Sequence, residues 1–210
     1  MSAALGVSGI PNAVLVDTTG TIIWQGHPSS LTSELVRTAI SGAIKTPVYE
    51  WGDSAKAIKK AFLKGDFSKA ILAADKLAEK EELGKEIGSL LRGMVTDRVA
   101  TIEKHLEAGN LYKAFDGAKS LASGLKGLPE EANIEAVLET ISKDKDLKKA
   151  LGVQQKVVEI LATEVGKKKE CDECIKKLEK LKKGFEETRT GELISDAIKS
   201  FRDKQGKLQR

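Results

Sequence analysis

Gly9-Ile10-Pro11-Asn12-Ala13-Val14-Leu15-Val16-Asp17, continued by Thr18-Thr19-Gly20-Thr21-Ile22-Ile23-Trp24-Gln25-Gly26-His27, is the stretch on which the reading of this chain turns. Ala13 to Asp17 is short and rich in Val and Leu, as a mostly buried strand is. Asp17-Thr18-Thr19-Gly20 reads as a turn, with glycine free to take positive φ. Thr21 to Gln25 is the returning strand, with β-branched Ile22 and Ile23 and aromatic Trp24. Ser30 then reads as a helix N-cap, with Glu34 in the first turn. Leu31, Leu35, Val36, Ala39 and Ile40 recur at helical spacing, and Gly42 ends the pattern.

The order Gly-Ile-Pro, strand, Asp-x-x-Gly, strand, Gly-His-Pro resembles the C-terminal β-β-α portion of a thioredoxin-like domain, in its peroxiredoxin- and disulfide-reductase-like branch. The resemblance covers roughly residues 5 to 44, about a fifth of the chain. It implies that Pro11 is a cis proline and that Ile10 offers backbone hydrogen bonds to a bound thiol substrate. A proline in ordinary context would be trans. Members of that family also carry an earlier β-α-β portion with a reactive cysteine at a helix start, where the dipole lowers the thiol pKa. No cysteine precedes Pro11 here. The expectation is a redox-family segment that begins after its own active site and is inactive alone. A lone hairpin and helix are marginal in water, so this unit is expected to pack on something else.

Composition bounds the rest. The 210 residues carry 35 basic and 31 acidic side chains, a formal charge of +4, which gives no nucleic-acid or membrane-surface signal. Hydrophobic content is 40% and aromatic content 4%, so the core is aliphatic. Lys, Glu, Ala and Leu dominate beyond residue 46 and favour helices. No run approaches a membrane span, and the first residues lack the basic and apolar regions of a secretory signal.

The helical part contains a repeat. Ile58-Lys59-Lys60-Ala61-Phe62-Leu63-Lys64-Gly65-Asp66-Phe67-Ser68-Lys69-Ala70 aligns without gaps on Ile102-Glu103-Lys104-His105-Leu106-Glu107-Ala108-Gly109-Asn110-Leu111-Tyr112-Lys113-Ala114, an offset of 44 residues (102 − 58). The match continues through Ala74 with Ala118, Leu77 with Leu121 and Ala78 with Ala122. In each copy a glycine ends one helix and Asp66 or Asn110 caps the next. The unit resembles the helix-turn-helix of tetratricopeptide-type repeats in architecture, without their full consensus. A weaker third copy is expected from Gly166, at an offset of 57 residues (166 − 109), with Cys171 on Ala114, Leu178 on Leu121 and Gly184 on Gly127. Glu192 to Arg202 reads as a last amphipathic helix, and Asp203 to Arg210 as a frayed polar tail.

Candidate chemistry is sparse. Cys171-Asp172-Glu173-Cys174 is a Cys-x-x-Cys, open to a redox or metal reading. A zinc site needs about four ligands, and only His27 and His105 could add nitrogen. Lys167, Lys168 and Lys169 would lower a thiol pKa, whereas Glu170, Asp172 and Glu173 would raise it. The repeat alignment offers a packing reading instead, with Cys171 in a small-residue slot. His105 aligns with Ala61 and reads as a surface or edge residue. Gly166 to Gly184 holds eight lysines and four acidic residues, either a solvated helix face or a contact for phosphate or an acidic partner. No catalytic triad, nucleotide loop or carboxylate pair stands out.

The sequence is therefore read as α+β: a partial thioredoxin-like β-β-α unit over residues 1–45, then a mainly α-helical repeat domain over 46–210. Two functions are carried forward. One is a thioredoxin-like thiol–disulfide oxidoreductase family protein without its nucleophile in this chain, its partner a thiol or disulfide protein. The other is a non-enzymatic helical-repeat interaction protein with a relic β-β-α unit, binding a protein partner or a second copy. No cofactor is expected in either.

Overall fold

The computed structural model describes residues 12–43 and 50–208. The chain forms two compact units, residues 1–50 and 51–210. It is mostly α-helical, with one two-stranded antiparallel sheet among the described residues.

In the first unit, β1 (Ala13–Val16) pairs with β2 (Ile22–Gly26). The connecting turn is built by Asp17. One carboxylate oxygen accepts the backbone N–H groups of Thr19 and Thr21 at 2.9 and 3.0 Å and the Thr19 hydroxyl at 2.7 Å. Gly20 takes φ +84°, which a side chain would strain. Leu15 faces Trp24 and Val16 faces Ile22, so Ile23 is the extra residue of a β-bulge. The bulge breaks the alternation and leaves both Ile23 and Trp24 half-buried.

The helix that follows starts later than Ser30. A 3-10 turn, Pro28–Ser30, comes first, and the Ser30 hydroxyl donates back to the His27 carbonyl at 2.8 Å. Thr32 is the actual N-cap of α1 (Ser33–Ala39), accepting the Leu35 N–H. Proline at the first position of the turn displaced the cap by two residues, because it favours a tight start without an N–H to satisfy. Ile40 lies beyond α1 and is 59% exposed.

The second unit runs α2 (Lys56–Phe62), α3 (Phe67–Ala78), α4 (Glu82–Glu107), α5 (Leu111–Ala122), α6 (Glu131–Lys143), α7 (Lys145–Leu161), α8 (Lys168–Lys182) and α9 (Arg189–Lys207). The 26-residue α4 packs against α3, α5 and α6, and α9 packs against α7 and α8. Trp51 meets Phe62 at a tilt with ring centroids 5.8 Å apart, and Phe62 meets Phe67 edge-on at the same separation. The sequence also offers Tyr49 and Trp51, just past Thr46-Pro47, as an anchoring aromatic pair; Tyr49 lies outside the described residues.

The two repeat turns close with the same backbone bonds but differ in their caps: Asp66 accepts the Lys69 N–H, whereas Asn110, expected to cap α5, makes no such bond because its side chain is turned to Arg189. Asp66 N–H reaches the Ala61 carbonyl, and Asn110 N–H reaches that of His105, each across five residues. Gly65 and Gly109 have φ +75° and +68°. This is the Schellman closure of a helix, which needs a left-handed residue at that place. Phe67 and Leu111, Ala70 and Ala114, and Ala74 and Ala118 are buried pair by pair. Small residues on α3 and α5 let neighbouring helices approach closely.

The third copy holds only in part. α8 starts where the alignment places it, with Cys171 and Leu178 buried like Ala114 and Leu121, and Gly184 left-handed like Gly127. Gly166 does not repeat the turn. It stays out of the left-handed region, and extended residues lead into α8. There the Glu170 carboxylate accepts the N–H groups of Gly166 and Lys167 at 2.8 and 3.0 Å, an acid-capped start in place of a glycine-closed turn. The expected frayed tail is also shorter, since α9 continues through Lys207.

Candidate functional site

Among the described residues, three places carry chemistry. The first is the loop after β2. His27 caps the 3-10 turn, its Nδ1 accepting the Ser29 N–H at 3.2 Å and lying 2.8 Å from the Ser29 hydroxyl. It is exposed. Its Nδ1 is engaged in that local geometry. Ile10 and Pro11, the positions that the thioredoxin-like resemblance marks for substrate binding, lie outside the described residues.

The hairpin itself has a divided surface. Ala13, Leu15, Ile23 and Trp24 are half-buried, and α1 packs against β1. The residues alternating with them, Val14, Val16 and Ile22, are apolar and exposed; Val16 and Ile22 are each 46% accessible. A sheet with one face in water normally alternates apolar with polar. Here the exposed face is largely apolar as well, with Gln25, opposite Val14, as its polar member.

The second place is the cysteine pair. Cys171 and Cys174 sit one turn apart on α8, both buried and both as thiols. They pack with Val157, Ile194, Ile198 and Phe201 in the core shared by α7, α8 and α9. Burial pushes the Cys171 thiol up in pKa. The neighbouring Cys174 pushes the same way; Lys204 opposes them, and Asp172 and Glu170 add lesser upward effects. A reactive cysteine has the opposite environment, electropositive and accessible. The lysines of this stretch do not reach inward: Lys176, Lys177 and Lys180 are exposed. No group of three or more His, Cys, Asp or Glu side chains among the described residues could hold a metal ion.

The third place was not legible in the sequence. A groove of about 460 Å³ opens between α4, α5 and the α2–α3 turn. Phe67, Ile102 and Leu121 form its floor, and Arg98, His105 and Lys113 stand around it. His105 is therefore half-buried at a groove, not simply a surface residue. The Arg98 guanidinium lies over the Phe67 ring at 4.9 Å. Gly65 and Phe67 come from the turn of the first repeat, Ile102, His105, Lys113 and Leu121 from the second, and Arg98 from the turns of α4 that precede it, so the groove exists because the first turn is seated on α4 and α5.

That stacking is close. The Gly124 carbonyl accepts the Ser68 N–H at 2.9 Å, and the Ser68 hydroxyl donates to the Lys126 carbonyl at 2.6 Å. A Cβ on Gly124 would fall 2.0 Å from the Gly65 carbonyl oxygen.

No family model, curated protein or solved structure matches this chain. No helix among the described residues is long and apolar enough to cross a membrane.

Proposed function

We propose that residues 1–45 are the closing β-β-α segment of a thioredoxin-like thiol–disulfide oxidoreductase, and that the helical unit is its extension. The observation that supports this reading is the hairpin's second apolar face. Val14, Val16 and Ile22 are exposed where a half-solvated sheet would carry polar residues. Such a hairpin is made to lie inside a larger sheet with cover on both sides. The sequence order around Pro11 supports the same family. Neither cysteine of this chain suits the nucleophile's role, since both are buried in the α7–α8–α9 core. The 210 residues alone are expected to show no disulfide reductase turnover.

The test has two parts. The reading frame upstream of the Met1 codon is translated, and the hairpin amides of the purified chain are followed by hydrogen exchange. A frame encoding β-α-β with a Cys-x-x-Cys, and exchange in the hairpin far faster than in α4, are the expected results. A stop codon directly upstream together with a strongly protected hairpin overturns the reading.

A second reading, a helical-repeat interaction protein, draws on the helical unit. The stacking of one repeat turn on the next builds an open groove with apolar floor and charged rim, the kind of surface that repeat proteins use for partners. Under that reading the hairpin is covered by a partner or a second copy. Concentration-dependent protection of Val14, Val16 and Ile22 would favour it.

A further inference from the structure

The groove between α4, α5 and the α2–α3 turn carries charges that helix packing does not require. Its floor is Phe67, Ile102 and Leu121, all buried. Around it stand Arg98, Lys113 and His105, against one carboxylate, Asp97. At about 460 Å³ it falls within the range of about 300–1,000 Å³ typical of small-molecule sites.

The two repeats show why its cations are available. In the first copy, Lys69 is bound to Asp66 at 2.7 Å. The equivalent residue of the second copy is Lys113, and Asn110 takes the place of Asp66. With that acid gone, Lys113 has no carboxylate partner among the described residues and lines the groove instead. Asn110 has another task, accepting the Arg189 Nε–H at 3.1 Å. Arg98 likewise has no carboxylate partner among the described residues. The Phe67 ring holds its guanidinium in place without neutralising it, and leaves its N–H groups for an anion.

We propose that this groove binds a small amphiphilic monocarboxylate. Its aryl or short alkyl body rests on Phe67, Ile102 and Leu121, and its carboxylate faces Arg98 and Lys113. An apolar floor alone would accept any hydrophobe, and the uncompensated cations select the anion. This site is independent of the thioredoxin-like reading.

The test uses the whole chain, labelled with 15N, titrated separately with 4-phenylbutyrate, 4-phenylbutanol and 4-phenylbutyltrimethylammonium. The carboxylate is expected to give saturable shifts centred on the amides of Gly65, Thr101, Gly117 and Ser120. The alcohol and the cation bind at least tenfold more weakly, the loss expected when a charged hydrogen-bond partner is removed. Lys113→Gln and Arg98→Gln each weaken the carboxylate several-fold. Thr101→Trp, at an exposed position on α4, plugs the groove and abolishes the shifts while helical circular dichroism is unchanged. Equal affinity for all three compounds, shifts centred elsewhere, or no saturation by about 10 mM overturns the proposal.

Discussion

Gln154 and Thr190 lie 36 residues apart in sequence and meet in the core, the Gln154 Nε2 donating to the Thr190 Oγ1 at 2.9 Å. The same amide nitrogen donates to the Gly109 carbonyl at 2.8 Å, and Oε1 accepts the Tyr112 N–H at 3.0 Å. Gln154, only 3% exposed, thereby satisfies both sides of the second repeat turn from α7 and ties it to the start of α9. A buried amide is tolerated when its donors and acceptors are used, and here they are.

Replacing that amide strands its partners. Gln154→Leu leaves the Tyr112 N–H, the Gly109 carbonyl and the Thr190 hydroxyl without it, and is expected to cost about 2–4 kcal/mol. Thr190→Val alone should cost about 1 kcal/mol. Urea denaturation of the two single variants and the double variant should show a double loss smaller than the sum, because both remove one contact. A Gln154→Leu loss below about 0.5 kcal/mol would show that the network carries no weight.

Two glycines should respond in opposite directions. Gly124→Ala places a methyl 2.0 Å from the Gly65 carbonyl oxygen, which is backbone and cannot swing away. The stacked turns must separate, at a cost of about 1–3 kcal/mol. Gly93, an exposed residue inside α4, has nothing within 4 Å of an added Cβ. Gly93→Ala should stabilise by about 0.5–1 kcal/mol through helix propensity. Thermal melts of the two variants are expected to bracket the parent.

The Cys171 thiol should be slow to react in the native state. Burial and nearby negative groups favour its neutral form, so its folded pKa lies above that of the unfolded thiol, about 8.5. The contribution to stability is therefore complete below the unfolded value and is lost as pH rises through the folded value. Iodoacetamide labelling should track global unfolding at neutral pH, and stability should fall above about pH 8.5 less steeply in Cys171→Ala. Rapid native labelling at pH 7 would contradict the buried placement.

The two repeat caps should behave differently in acid. The hydrogen bond from the Lys69 side chain, and then that from the Lys69 N–H, hold the Asp66 carboxyl below its usual range. A lowered folded pKa gives stability that is present above the unfolded value, about 3.9, and is lost as pH falls through the folded value. Asp66→Ala should cost about 1 kcal/mol at neutral pH through loss of the cap. Its stability should then vary less with pH below about 4 than the parent's. Asn110→Ala should instead couple to Arg189→Ala in a double-mutant cycle, since Asn110 bonds that side chain and caps no N–H of α5.

What the sequence determined by itself is what is bonded within a few residues. The Gly65-Asp66 and Gly109-Asn110 turns close over five residues with a left-handed glycine and an apolar neighbour, so they could be read without the fold. The Asp17 turn with Gly20 is local in the same sense. Where the sequence reading slipped, a competing local bond had won: Pro28 and the Ser30–His27 bond moved the α1 cap to Thr32, and Glu170 capped α8 where Gly166 was expected to turn. The tertiary structure alone decided the rest. Gln154 carries no sequence signal, because its partners Gly109, Tyr112 and Thr190 lie 45, 42 and 36 residues away. The groove is equally silent, since Phe67 reaches Arg98 only when the first turn is seated on the second repeat. Patterns of period and capping report which face of a helix is apolar. Which faces meet, and which charges are left uncompensated between them, depends on close approach at Gly124 and on chain separations too long for any local rule.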